Sequence, residues 1–232
     1  MTEAQVKNLA KAVGRWLAFQ VLCGRDVLLS ESYLSQPLAE FLLHHHSGTL
    51  ATERRHPGLQ RGGRGRPRQV DFVLLSRDAE AAEAVIEAKW VTDRPYPKQA
   101  VVDDLLRLEC FREGGRHVRR YFLVAGKKGH FRTGFERLQL NTCGGRKGFT
   151  RQFLSFKKAK PRRAVDVMNA DGSVATFFVS FARAYKVELP RGFSTVLKTK
   201  CSNDGISVVL WQVESRRNRR TFQPRRAKKN EG

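Results

Sequence analysis

Three side chains suited to phosphate chemistry fall close together in the first half of the chain. Asp71 heads the run Val70-Asp71-Phe72-Val73-Leu74-Leu75, and Glu87 and Lys89 lie inside Ala84-Val85-Ile86-Glu87-Ala88-Lys89-Trp90-Val91. Two β-branched, apolar runs around the polar stretch that begins at Ser76 predict a hairpin with a longer loop. With the turn centred near Ala79, Asp71 falls across from Glu87. Strand side chains alternate faces, so Glu87 and Lys89 share one face and Ala88 takes the other. Two carboxylates that close repel unless a proton or a hard cation sits between them, and Mg²⁺ or Mn²⁺ with oxygen ligands is the natural occupant. Such an ion clamps a phosphate oxygen and acidifies a bound water. A neighbouring lysine orients that water or offsets charge building on phosphorus, so the chemistry implied is hydrolysis of a phosphodiester.

A plainer reading uses the same residues. An Asp at a strand start often serves a turn, and Glu and Lys two apart often make a solvated strand face with a weak ion pair. The neighbours argue against it. Val85, Ile86, Ala88, Trp90 and Val91 break the alternation, so both faces of the strand look covered, and charges inside such a strand need partners or a ligand.

Asp71 and then Glu87-Ala88-Lys89 in apolar strands are followed by a helix opening at Pro97-Lys98-Gln99 and a strand Tyr121-Phe122-Leu123-Val124-Ala125. This arrangement resembles the PD-(D/E)xK, or restriction-endonuclease-like, nuclease superfamily over roughly residues 30 to 140, with Val70 where the name has Pro. The resemblance implies an α/β fold with a mixed central β-sheet flanked by helices, and a Mg²⁺-dependent nuclease, a DNA endonuclease first. It also implies Asp71 and Glu87 as metal ligands and Lys89 as a catalytic residue. Superfamily members commonly add an acidic residue from a helix before the hairpin. Ser30 reads as the N-cap of such a helix, and Glu31 falls on the stripe of Leu34, Leu38 and Leu42 whereas Glu40 falls opposite, so Glu31 is the better candidate. Its alternative is a first-turn Glu favoured by the helix dipole.

Composition points to a phosphate-rich partner. Lys and Arg number 44 against 22 acidic residues, a formal net charge of +22, which indicates nucleic acid, DNA favoured over RNA, ahead of an anionic membrane. Arg54, Arg55, Arg61, Arg64, Arg66 and Arg68 precede Asp71 in a glycine-rich stretch expected to be a mobile loop. Arg64, Arg66 and Arg68 would grip a backbone without reading bases, although an Arg-Gly segment also binds RNA. Lys98 and Gln99 would touch substrate phosphate or a water, or else be solvated first-turn residues. The run from Lys157 to Arg163 reads as a phosphate-facing loop or, in a eukaryote, a nuclear address.

The 232 residues divide into a nuclease-like core with N-terminal helices (1–148), a strand-rich extension or small subdomain (149–214) and a basic tail expected to be disordered (215–232). Ala4 to Leu22 has the spacing of an amphipathic helix, and a further helix is expected around Phe131 to Leu140 after a glycine-bracketed turn at Gly126 and Gly129. In the second half, Val174 to Val187, Thr195 to Cys201 and Ile206 to Val213 are candidate strands, the last two joined by the turn Ser202-Asn203-Asp204-Gly205. No run suits a membrane span, and the expected location is intracellular: cytoplasmic, or nuclear in a eukaryote. His44, His45 and His46 are consecutive and fan apart on a helix, the cysteines lack paired spacing, and neither glycine-lysine segment ends as a P-loop does. Three classes remain: a nuclease, a non-catalytic nucleic-acid-binding protein on the same fold, and a basic RNA-bridging assembly protein. A homodimer stays open.

Overall fold

A computed structural model describes residues 1–59, 68–78, 81–113, 117–138, 140–143, 150–170, 172–215 and 220–224. Helix α1 (Glu3–Leu22) begins at a capping box in which Thr2 and Gln5 satisfy each other's backbone N–H groups, and it buries Val6, Leu9, Val13 and Leu17. Helix α2 (Glu31–His45) starts at Ser30, whose hydroxyl accepts from the Tyr33 N–H at 3.2 Å. Strands β1 (Leu50–Arg55), β2 (Gln69–Leu75) and β3 (Ala82–Val91) follow, then helix α3 (Lys98–Cys110) and strand β4 (Arg119–Lys127). A helical turn α4 (Lys128–His130) runs into a π-helical turn over Phe131–Phe135. The remainder comprises β5 (Asn141–Cys143), β6 (Thr150–Gln152), β7 (Arg162–Asp166), helix α5 (Gly172–Tyr185), β8 (Leu189–Pro190), β9 (Gly192–Asn203), β10 (Ile206–Ser215) and β11 (Thr221–Phe222).

Seven strands form one mixed sheet in the order β1-β2-β3-β4-β10-β9-β7. Only β3 and β4 run parallel, and α3 is their crossover. The other pairs are antiparallel. Side-chain alternation separates two cores. Phe72, Ile86, Ala88, Trp90, Leu123 and Leu210 pack under α1 and α2; Val73, Val85, Val91, Phe122, Val124 and Trp211 pack under α3 and α5. Both faces of β3 are therefore covered, and Glu87 and Lys89 share the α3 side with Val85 and Val91.

Several expectations need correction. Residues 174–187 are largely helix: the run is aromatic and β-branched, but Val174, Phe178, Val179, Phe181, Ala182 and Tyr185 are the buried set, a spacing of 3.6 and not 2. Arg54 and Arg55 belong to strand β1, not to a loop. This is an edge strand, and its charges replace the apolar alternation that marks an inner one. The helix near Phe131 is shorter than expected, and Gly126 lies inside β4, where a Cβ would come within 3.0 Å of Val91. Of the two arrangements open to the second half, extension of the main sheet is the one formed, since β10 pairs with β4. The β9–β10 turn is formed by Asp204 and Gly205, both at positive φ (38° and 81°) as a type I′ turn requires.

Candidate active site

Asp71 and Glu87 meet where β2 and β3 part. The ladder between these strands ends at Phe72 opposite Ile86, which leaves Asp71 and Glu87 as the next positions in that register. Beyond it, the Ala88 N–H donates to Asp71 Oδ2 at 2.7 Å, so a side chain stands in for the missing backbone acceptor. The neighbouring edge strand is irregular at the same level. Pairing keeps one register from Thr52–Phe72 to Arg54–Val70 but omits the position between, Glu53 opposite Asp71, and Glu53 has φ of 50°. A non-glycine residue in that region costs about 1–3 kcal/mol and is held only by surrounding structure.

Lys89 Nζ stands among four carboxylates. It donates to Glu31 Oε1 at 2.7 Å and lies 3.8 Å from Asp104 Oδ2, 3.9 Å from Asp71 Oδ2 and 4.0 Å from Glu87 Oε2. Behind it, Arg107 pairs with Asp104 and brings Nε to 3.2 Å from Glu87 Oε1. Among the described residues, exposure is uneven across the cluster: Glu87 is 0% exposed and Asp104 4%, Asp71 32% and Glu31 51%. Asp71 and Glu31 are the members of the cluster that face solvent.

The electrostatics follow from four acids and two bases in little water. Burial pushes the Glu87 carboxyl well above its ordinary range; Arg107 opposes this, and Asp71 and Asp104 add to it. Burial likewise raises Asp104 to about 6 against the pull of Lys89 and Arg107. Burial acts against the Lys89 ammonium, yet Asp104, Asp71, Glu87 and Glu31 together hold its pKa above the usual lysine range. Lys89 is thus a fixed cation and donor, not a base. The Tyr96 phenol is pushed up by burial and then by the Asp104 charge, and stays a neutral donor.

The structure brings together Asp71, Glu87, Lys89 and Glu31. Glu40 is elsewhere, exposed and accepting from Gln36 Nε2 at 3.1 Å. Lys98 and Gln99 are exposed in the first turn of α3, outside the cluster. Arg64 and Arg66 lie outside the described residues. Arg68 is described, and its guanidinium sits 5.6 Å from the Tyr185 ring centroid, donating to the phenol oxygen. Asp104 and Arg107 were missed from sequence. Their signal was present: they fall on the α3 stripe between Val101 and Leu108, both buried, where a charge needs a reason.

Among the described residues no three or more His, Cys, Asp or Glu side chains close into a metal-holding group. The donor set nevertheless fits a hard divalent cation. Glu87 Oε1 and Oε2 and Asp104 Oδ2 are buried with no hydrogen-bond partner. With all four carboxyls ionised, they would exceed Lys89 and Arg107 by two negative charges, which a divalent ion would cancel; without an ion, burial favours a protonated Glu87. Compared with protein-family models, curated proteins and solved structures, the chain matches none.

Proposed function

We propose that this protein is a divalent-cation-dependent nuclease that hydrolyses phosphodiester bonds, with DNA as the favoured substrate and a restriction-endonuclease-like core as its scaffold. The supporting observation is the buried surplus of carboxylate: three oxygens without hydrogen bonds beside a lysine that remains charged. Asp71 and Glu87 would hold Mg²⁺ or Mn²⁺, with Asp104 and Glu31 in reach of its waters. The ion would polarise a phosphate oxygen and lower the pKa of a water. Lys89, held by its carboxylates on the open side of Glu87, donates toward a phosphate oxygen as charge builds there. Glu31, exposed and already bonded to Lys89, positions that ammonium. Arg107 fixes the Glu87 carboxylate from behind. The net charge of +22 supplies the long-range attraction for a polyanion.

The test is incubation of the purified chain with labelled duplex, single-stranded and branched DNA and with RNA, in Mg²⁺, Mn²⁺ or EDTA. Metal-dependent cleavage that is lost in Glu87→Gln and Lys89→Met supports the reading. One observation favours a second: Arg107 already sits against Glu87, as it would in a nucleic-acid-binding protein that does no chemistry. Tight DNA binding, no cleavage and no Mn²⁺ affinity by calorimetry would establish that alternative.

A further inference from the structure

A cavity of about 130 Å³ lies between α3 and α5, lined by Arg68, Asp103, Asp104, Arg107, Phe181 and Tyr185. It shares Asp104 and Arg107 with the candidate active site, so whatever fills it sits one helix turn from the carboxylate cluster. Its walls are of three kinds. Phe181 and Tyr185 form an aromatic side, their ring centroids 4.7 Å apart. Arg68 lies by the Tyr185 ring with Nε bound to the phenol oxygen, which fixes its guanidinium plane and leaves its other N–H groups to donate. Asp103 has a buried oxygen, Oδ1, with no hydrogen-bond partner, and Asp104, 3% exposed, closes the wall toward the carboxylate cluster.

We infer that this cavity receives a single unpaired guanine base from the nucleic-acid strand held at the adjoining cluster. An aromatic wall with an arginine plane is how splayed bases are held in strands that are not base-paired. The polar groups choose among bases. A carboxylate such as Asp103 accepts from two adjacent donors only on the guanine Watson–Crick edge, N1–H and N2–H; adenine and cytosine offer one donor beside an acceptor that would repel it. A guanidinium such as Arg68 donates to the adjoining Hoogsteen edge of guanine, O6 and N7. Both groups therefore select the same base. The sequence suggested that Arg68 grips phosphate; its position on Tyr185 assigns it to the base. The source of the base rests on the nuclease reading, but the pocket does not need the reaction.

The experiment is calorimetric titration of the full chain in EDTA with the 5′-monophosphates of guanosine, adenosine, cytidine and uridine, and with inorganic phosphate. Guanosine monophosphate should bind at least tenfold tighter than the other three. Asp103→Asn and Arg68→Ala should each weaken it about tenfold while leaving the circular dichroism unchanged. Equal binding of all four nucleotides, or full competition by phosphate, would show an arginine-phosphate site and overturn the inference, as would unaltered affinity in folded Asp103→Asn. The cleavage assay separates the two claims. Guanine preference without cleavage keeps the pocket and removes the nuclease; cleavage without guanine preference does the reverse.

Discussion

Replacing Asp104 by Asn should stabilise the metal-free protein at high pH relative to low pH. The folded-state carboxyl titrates at about 6 against an ordinary 3.8, with burial as the main cause. Because the folded value is raised, the carboxyl favours folding fully below 3.8, and that advantage is lost as pH rises through about 6. The gap corresponds to about 3 kcal/mol, net of the attraction from Lys89 and Arg107. The residue is buried, so solvent screening removes little of it. Asn keeps an acceptor for Arg107 but brings an amide with no partner, a cost of about 1–3 kcal/mol that is independent of pH. Subtracting the mutant-minus-wild-type difference at pH 4 from that at pH 8 cancels this cost. For a chain of this size about 3 kcal/mol moves Tm by roughly 6–12 °C. Thermal melts in EDTA at the two pH values measure it. An equal difference at both pH values would mean that Lys89 and Arg107 fully compensate the buried charge, and the argument for a cation deficit would fail.

Three further outcomes follow from the same geometry. Lys89→Met should cost about 3–5 kcal/mol in urea melts at pH 8, because four carboxylates lose their shared cation, and less at pH 5 where carboxyls can take up protons; an equal loss at both would contradict it. Glu31→Gln should reduce turnover while changing stability by no more than about 1 kcal/mol, since its ion pair is half exposed, and Glu40→Gln should change neither; the reverse pattern would show that Glu40 is the functional acid. His56 accepts from the Gly58 N–H through Nδ1 at 3.0 Å and bonds the Arg107 carbonyl through Nε2 at 2.9 Å, and burial lowers its pKa to about 4. Here the folded value is depressed for a base, so its stabilisation is present above 6.5 and lost as pH falls through 4. His56→Gln should flatten the acid limb of the stability profile between those values, and an unaltered limb would show that His56 does not carry it.

The part of the site legible in sequence was the part written in strands. Period-2 alternation put Glu87 and Lys89 on one face, and hairpin spacing aligned Asp71 with Glu87, because both depend on local geometry alone. Glu31 was legible for a similar reason, through its place on a helical stripe. Asp104 and Arg107 were harder, because the apolar residues of α3 were sufficient to account for a packing face and the two charges within it looked like interruptions. The misreading of α5 has a separate cause: Phe177, Phe178, Val179 and Phe181 have high strand propensity, and tertiary packing against α3 decided in favour of helix. Edge strand β1 left little mark, since a charged edge is selected against looking like a strand.

Helix α3 borders both the carboxylate cluster and the α3–α5 cavity. Residues 104 and 107 point one turn of it into the carboxylate cluster, and Asp103 turns the adjacent position toward α5. A small shift of this helix would change both, so its anchorage matters more than that of any single side chain. His56 holds it at the Arg107 carbonyl. At its C-terminal end Ser215 donates to Glu109 at 3.0 Å and accepts from Arg112 at 3.1 Å, tying it to the end of β10, while buried Arg120 reaches the Phe111 carbonyl from β4. Neutral and charged contacts from three parts of the sheet thus hold one helix in register with β3, the condition for Arg107 to meet Glu87 at 3.2 Å. The charged residues at the far end of α3 are positioning residues by this argument. Loosening them should alter the carboxylate cluster without touching it.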